Sequence, residues 1–163
     1  MAENRGKRFE QQVKADFEKI RGVSIDRIHD QTTGFAGSTN VADFIVYRYP
    51  FQFYVECKSV HGNTFPLSNL TDNQFKGLYA KSNIPGVYAG VLCWWVDKDI
   101  TRYIPIEAIK EMKDDDYKSI RFDWDGYFVD GIHYNFPEIE GEKKRVFFNY
   151  DMTSFFEGVH SNG

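Results

Sequence analysis

Two short β-forming runs separated by a tight break constrain the fold of this chain more than any other feature. Residues 44–47 and 51–55 are rich in aromatic and β-branched side chains, and a Tyr-Pro pair lies between them at residues 49–50. This pattern predicts an antiparallel hairpin. Because side chains alternate faces along a strand, Glu56 and Lys58 then point to the same side, roughly 7 Å apart along the chain.

Two carboxylates beside an ammonium group form the candidate site. The returning strand brings Asp43 next to Glu56 and Lys58. Carboxylates this close repel each other unless a cation lies between them, and oxygen-only ligands favour Mg²⁺, with Mn²⁺ as a substitute. A lysine can hold the water that attacks phosphorus while the metal stabilises the developing charge. The D-x₁₂-E-x-K pattern therefore predicts a metal-dependent phosphodiesterase. The alternative is a surface hairpin whose Glu56 and Lys58 are a solvated pair.

Length and composition favour one domain with a substantial core, over residues 1–163. Two cysteines without a signal peptide favour a cytoplasmic protein, and no apolar run reaches the ~20 residues of a membrane span. The net charge is −4, but residues 111–140 hold nine acidic and three basic side chains, so the rest of the chain carries +2. A basic surface that faces DNA is compatible with this distribution.

An amphipathic helix is predicted over residues 3–21, with Gly22 as its stop. Its start carries Arg5, Lys7 and Arg8, and backbone N–H groups at a helix start also attract anions. We therefore interpret these basic residues as candidates for DNA contact, the alternative being an ordinary solvated helix start.

Further polar residues are candidates for the site or for DNA contact. Glu10 lies next to the apolar stripe of the first helix, and it either orients a metal-bound water or is a boundary residue. The polar loop of residues 31–40 runs directly towards Asp43, and small polar side chains and exposed amides suit phosphate contacts. The remaining candidates for DNA contact are Gln31, Thr33, Ser38, Thr39 and Lys76.

Thr71 and Gln74 form the pattern of a capping box at the start of a helix over about residues 72–81. Gln74 also lies where such a helix would aim a polar side chain at the metal site, and we expect the two uses to compete. The other predicted elements are a strand at 23–29, a loop at 59–70, a central strand at 87–96 buried on both faces, a strand at 100–104, a helix at 106–113, and strand-like fragments at 127–129 and 146–148.

Four segments carry a resemblance to known nucleases. They read GKRFE at residues 6–10, GSTNVADF at 37–44, VECK at 55–58, and FPLSN at 65–69 followed by Gln74. They resemble the PD-(D/E)xK superfamily, specifically the Holliday junction resolvases of the bacterial RecU type, and are also similar to the archaeal Hjc type. The resemblance covers about residues 5–105. It implies an α+β fold with a restriction-endonuclease-like αβββαβ core, in which a mixed sheet is flanked by helices, and leaves about residues 111–163 as an acidic extension.

The resemblance also implies roles for individual residues. Asp43, Glu56 and the Cys57 carbonyl would bind Mg²⁺, Lys58 would position the attacking water, and Glu10 and Gln74 would complete the site. Ser38 falls on a loop position that approaches substrate phosphate in the Hjc type. The family acts as a symmetric homodimer that nicks opposed strands of four-way DNA junctions and leaves 5′-phosphate ends.

The chain departs from the RecU type in three places. Only residues 31–37 occupy the region of its long stalk, residues 40–42 separate the Ser-Thr pair from Asp43, and no family pattern follows residue 115. Other branched DNA is therefore also a candidate substrate. Two rival hypotheses remain, which are a restriction-like or repair nuclease on the same core, and a non-catalytic DNA-binding recombination module.

Overall fold

The computed structural model describes residues 2–28, 40–144 and 147–160. Four of the residues predicted to contact DNA lie outside these ranges: Gln31, Thr33, Ser38 and Thr39. In the described residues, a five-stranded mixed sheet is flanked by helices. The order of elements through the first five strands contains the predicted αβββαβ core. The predicted α+β class is confirmed.

The described helices are α1 (Ala2–Glu18), α2 (Asp72–Ser82), α3 (Ile106–Asp114) and α4 (Thr153–His160). The described strands are β1 (Val23–Arg27), β2 (Phe44–Arg48), β3 (Phe51–Val60), β4 (Thr64–Pro66), β5 (Val87–Trp95), β6 (Ile100–Pro105), β7 (Ser119–Arg121), β8 (Gly126–Val129), β9 (Ile132–Asn135), β10 (Gly141–Lys144) and β11 (Phe147–Tyr150). None of these helices is long and apolar enough to cross a membrane.

The central sheet has the order β1-β2-β3-β5-β6, and its pairs are antiparallel except for β3 and β5. The predicted hairpin is confirmed as β2 and β3, which pair from Phe44 with Val55 to Arg48 with Phe51. A parallel pair needs a crossover connection, and here α2 lies between β3 and β5 in the chain. The buried, apolar β5 confirms the predicted central strand.

Alternation along the strands divides the core between the two faces of the sheet. Phe53, Val55 and Cys57 of β3 belong to one hydrophobic cluster, together with α1 and α4. Tyr54 and Val60 belong to the other, together with α2 and α3. The alternation of side chains along β3 therefore determines which of them face α1 and α4 and which face α2 and α3.

The C-terminal segment packs onto the face that α1 covers. The Phe155 ring lies edge-on to Phe17 with centroids 5.1 Å apart, and both rings are fully buried. The Tyr150 backbone N–H donates to the buried Asp16 carboxylate at 2.7 Å. These contacts join the acidic extension to the same core as the first helix.

Two predictions of element bounds differ from the structure by more than two residues. The first helix ends at Glu18 rather than residue 21, because the chain turns there through a hydrogen bond from Ile20 N–H to Phe17 O of 3.1 Å. The predicted loop at residues 59–70 instead contains the end of β3, the short β4 and a 3₁₀ turn at Leu67–Asn69. Here β3 extends because it stays paired with β5 as far as Val60, and β4 forms against the distant β7.

Candidate active site

A pocket of about 460 Å³ lies where β1, β2, α1 and α2 meet around the middle of β3. All three predicted site carboxylates and the predicted glutamine line it, whereas the predicted Lys58 lies outside the lining. The charged side chains of the lining are Lys7, Glu10, Arg27, Asp43 and Glu56, and the Gln74 amide lies among them.

Asp43 immediately precedes β2 and lies against β3. The Asp43 backbone N–H donates to Val55 O at 3.1 Å, and its carboxylate Oδ2 accepts a hydrogen bond from the Cys57 N–H at 2.8 Å. In an antiparallel pair, the N–H and C=O of one residue face the same side. The Cys57 carbonyl therefore faces the space before the start of β2, next to Asp43.

The buried Glu56 carboxylate receives two side chains. Lys58 Nζ lies 3.3 Å from Glu56 Oε2, which agrees with the same-face geometry predicted from the strand period. Gln74 Nε2 donates to the same oxygen at 3.0 Å. Glu56 is 4% exposed, so these two donors compensate part of its lost hydration.

Gln74 serves the helix cap and the pocket together, and the expectation that these uses compete was wrong. Its amide oxygen accepts from the Thr71 N–H at 3.1 Å, while its own backbone N–H donates to Thr71 Oγ1 at 3.2 Å. The predicted capping box is thus confirmed. The amide nitrogen remains available for Glu56, because the two ends of a carboxamide bond different partners.

Arg27 is a pocket residue that the sequence analysis missed. Its guanidinium Nη2 lies 3.3 Å from Glu10 Oε2, and Cζ lies 5.1 Å from the centre of the Phe44 ring. Arg27 pairs with Phe44 across the sheet, one residue from Asp43. The missed signal was its position at the end of β1, because the antiparallel return brings the end of β1 to the start of β2.

The carboxyl groups of the pocket raise one another's pKa values. Burial, followed by the charge of Glu56, raises the pKa of Asp43 to about 6. Burial and then the charge of Asp43 raise the pKa of Glu10, with Arg27 opposing. Burial also raises the pKa of Glu56, with Lys58 as the main opposing influence. Such mutual repulsion is what a bound cation would relieve.

The donor set of the pocket suits Mg²⁺. Within residues 2–28, 40–144 and 147–160, no three His, Cys, Asp or Glu side chains form a ready-made metal-holding cluster. Mg²⁺ does not need one, since it commonly binds one or two carboxylates and keeps several waters. Asp43 and Glu56 offer two mutually repelling carboxylates, and the Cys57 carbonyl is a third oxygen on the same side. The residues present therefore fit this ion.

The predicted DNA-contacting residues that the structure describes lie at different distances from the pocket. Lys7 lines it. Arg5 Nη1 instead lies 3.2 Å from His61 Nε2, and the other ring nitrogen of His61 lies 3.1 Å from Asp97 Oδ1. The exposed side chains of Arg8 and Lys76 are outside the pocket lining.

Comparison with known proteins gives a distant likeness in structure. No protein-family model matches the chain, and no curated protein sequence matches it. Among solved structures, Hjc from Archaeoglobus fulgidus, a Holliday junction resolvase from an archaeal hyperthermophile, is similar over 63% of this chain and 78% of its own. The TM-score is 0.47 and the sequence identity is 18%. The likeness concerns the arrangement of the chain and not its activity.

Proposed function

We propose that this protein is a Mg²⁺-dependent endodeoxyribonuclease that cleaves branched DNA, with the four-way Holliday junction as its preferred substrate. One observation carries the proposal. Asp43, Glu56 and Lys58 come from a single hairpin and lie together, while Glu10 from α1 and Gln74 from α2 reach the same place from the two faces of the sheet. Four side chains of the types that phosphodiester hydrolysis uses thus line one pocket, and a fifth, Lys58, contacts the Glu56 carboxylate beside it.

Asp43, Glu56 and the Cys57 carbonyl would hold the ion. Mg²⁺ supplies, when bound, positive charge that stabilises the phosphate oxygens as the reaction proceeds. Gln74 keeps the Glu56 carboxylate oriented through the 3.0 Å hydrogen bond. The Cys57 N–H does the same for Asp43 at 2.8 Å. Both ligands are thereby fixed before substrate binds, which lowers the cost of reorganisation.

Lys58 and Glu10 have separate roles towards the attacking water. The Lys58 ammonium group donates a hydrogen bond to the water and to a non-bridging phosphate oxygen. Glu10 accepts a proton from the water, a task suited to a carboxylate with a raised pKa. The water oxygen forms a bond to phosphorus, and the bond from phosphorus to the 3′ oxygen breaks as that oxygen takes up a proton from solvent water. The products are a 5′-phosphate and a 3′-hydroxyl.

Preference for junctions and a homodimer are proposed on two grounds. The segments FPLSN at residues 65–69 and Gln74 resemble the RecU type, which acts on four-way junctions. The second ground is that the described part of one chain contains a single site with the D-x₁₂-E-x-K pattern. Nicking two opposed strands of one junction therefore requires two copies of the chain.

A panel of DNA substrates tests the proposal. Four-way junction, flap and linear duplex of the same sequence are incubated with wild type and Glu56→Gln, with Mg²⁺, with Mn²⁺ or with EDTA. The matched control is Glu111→Gln, which removes a carboxylate from α3 outside the pocket. We expect paired nicks in the junction by wild type and by the control, and none by Glu56→Gln or with EDTA.

Other outcomes of the same panel favour the rivals. Equal cleavage of linear duplex and junction would favour a restriction-like or repair nuclease. Junction binding without metal-dependent nicking would favour a non-catalytic recombination module. Full activity of Glu56→Gln would remove the proposed site.

A further inference from the structure

A second pocket, of about 410 Å³, lies at the other end of the sheet. It is formed where α2 ends, β5 begins, β6 ends and α3 begins. Tyr88 of this pocket pairs with Phe53, whereas Glu56 pairs with Val91. Three residue spacings, about 10 Å along the strands, therefore separate it from the candidate active site.

Three phenol rings and one carboxylate line this pocket, which we call the tyrosine pocket. They belong to Tyr88, Tyr103, Tyr134 and Glu107. The Tyr103 ring is 1% exposed and packs directly on Gly90, where an added Cβ would lie 2.7 Å from the ring. Its position is therefore fixed. Rings and a carboxylate around one cavity are the groups with which proteins recognise organic cations.

Glu107 has no cationic partner among the side chains that the structure describes. Of the four lysines on α2 and α3, Lys76 is exposed and outside the pocket lining, and the other three contact other groups. Lys81 lies 5.2 Å from the Tyr54 ring centre, Lys110 pairs with Asp114 at 2.6 Å, and Lys113 lies 4.3 Å from the Phe75 ring centre. The tyrosine pocket thus contains a negative charge and no basic side chain.

The surroundings of Glu107 leave its charge undercompensated. Burial raises the pKa of this carboxyl, and a hydrogen bond with the Ser82 side chain opposes the rise. The charge of Glu107 acts in turn on the two rings nearest to it, since after burial it is the next cause that raises the pKa of Tyr103 and of Tyr134. Glu107 is half-buried, and its hydrogen-bond partners, the Ser82 side chain and its own backbone N–H, are both neutral. Such a carboxylate gains more from a cation than a solvated one does.

We propose that the tyrosine pocket binds an organic cation, a primary ammonium or guanidinium group at the end of an aliphatic chain. Glu107 accepts its N–H groups, and the Tyr88 and Tyr134 rings contact the charge and the chain. A purely structural Glu107, linking α3 to α2 through Ser82 and facing the helix N-terminus, would bind no such ligand. The proposal is independent of the nuclease function, because the pocket shares no residue with the candidate active site.

Free polyamines and basic side chains of a partner protein carry the same chemistry. ¹H–¹⁵N correlation spectra of the full chain are therefore recorded with four probes at physiological salt. Cadaverine and agmatine present ammonium and guanidinium groups, 1,5-pentanediol is the uncharged analogue of cadaverine, and N-acetyl-lysine methylamide represents a protein side chain. Tighter binding of cadaverine indicates a free polyamine, and tighter binding of the blocked lysine indicates a side chain of a partner protein. Either result supports the proposal.

Four variants make the test specific. Glu107→Gln keeps an acceptor for Ser82 and removes the charge, and Asp114→Asn removes a charge at the other end of α3 as the matched control. Tyr134→Leu removes a ring, whereas Tyr134→Phe keeps it. We expect shifts at the tyrosine pocket with the cations only, weakened roughly tenfold in Glu107→Gln and clearly weakened in Tyr134→Leu. The control variant on α3 and Tyr134→Phe should bind the cations as wild type does.

Three results would overturn the proposal. These are no shifts at the tyrosine pocket with either cation, equal shifts with 1,5-pentanediol, or unchanged affinity in both Glu107→Gln and Tyr134→Leu. Thermal unfolding of each variant establishes that it is folded. If Glu107→Gln does not fold, Tyr134→Leu alone decides the outcome.

Discussion

Gln74 donates a hydrogen bond to the Glu56 carboxylate at 3.0 Å, and so connects the first turn of α2 to the middle strand of the sheet. The same side chain closes the capping box with Thr71. The position of a proposed metal ligand therefore depends on how the following helix begins. The capping box of α2 and the candidate active site therefore both depend on the Gln74 amide group.

Substitution of Gln74 should separate the cap from the site. Gln74→Met removes both uses, whereas Thr71→Ala removes the side-chain cap and leaves the amide in place. We expect each variant to lose about 1 kcal/mol of unfolding free energy, measured by urea denaturation. Junction cleavage should fall about tenfold or more in Gln74→Met and much less in Thr71→Ala. An equal loss of cleavage in both would assign Gln74 a capping role only.

Arg27 and Glu10 should be coupled in cleavage, because their charged groups lie 3.3 Å apart and are largely shielded from solvent. We expect Arg27→Met and Glu10→Gln each to slow junction cleavage, and the double variant to be less impaired than the product of the two effects. A double-mutant cycle on single-turnover rates measures this coupling, at about 1 kcal/mol. The exposed pair Lys14 and Glu18 on the same helix is the control and should show none. Full additivity for Arg27 and Glu10 would contradict the pairing.

Asp43 should destabilise the metal-free protein at neutral and alkaline pH. Its pKa rises from the ordinary 3.8 to about 6 in the fold, so the ionised carboxyl opposes folding. This cost is absent below the ordinary value, grows as pH rises between the two values and is complete above the higher one. A rise of this size corresponds to about 3 kcal/mol, so at pH 8 in EDTA we expect Asp43→Asn to unfold roughly 6–12 °C higher than wild type. At pH 3.5 we expect no difference in melting temperature. A lower melting temperature at pH 8 would contradict the raised pKa.

Mg²⁺ should reverse that order of stability. A cation bound at Asp43 stabilises wild type by mass action, whereas Asp43→Asn lacks the ligand charge. We therefore expect the melting temperature of wild type, but not of the variant, to rise with Mg²⁺ at pH 8. Equal rises in both would place metal binding elsewhere.

Much of the hairpin and its neighbours could be predicted from local patterns. The period of two residues predicted that Glu56 and Lys58 share a face, and they lie 3.3 Å apart. The capping box predicted the start of α2, and the apolar run predicted β5. Each of these features depends on residues close together in the chain, where propensity and spacing decide the outcome.

Features that depend on distant residues could not be predicted in this way. The pairing of β4 with β7 joins Phe65 to Ile120, and nothing in the short apolar segment around Phe65 specifies that partner. The place of Arg27 in the pocket follows from the register of β1 with β2. The capping of α2 and the contact with the metal site were expected to compete for Gln74. A linear pattern does not show that the oxygen and the nitrogen of its amide bond different partners.

The C-terminal helix should be essential to stability, because Phe155 is fully buried against Phe17 and Phe53. We expect Phe155→Ala to lower the unfolding free energy by about 3–5 kcal/mol. Phe128→Ala is the matched control, since this ring is 68% exposed, and it should change stability by less than about 0.5 kcal/mol. Urea denaturation measures both. Similar small losses would mean that the acidic extension is not part of the core.

Divalent-ion binding and cleavage measured on the same variants test the central claim most directly. Mn²⁺ binding is followed by electron paramagnetic resonance, and junction cleavage under single turnover, for wild type, Glu56→Gln and Lys58→Met. We predict that Glu56→Gln loses both, and that Lys58→Met loses cleavage but keeps Mn²⁺ affinity nearly unchanged, since Lys58 acts on the water and not on the ion. Wild-type Mn²⁺ binding by Glu56→Gln, or normal turnover by Lys58→Met, would contradict the account.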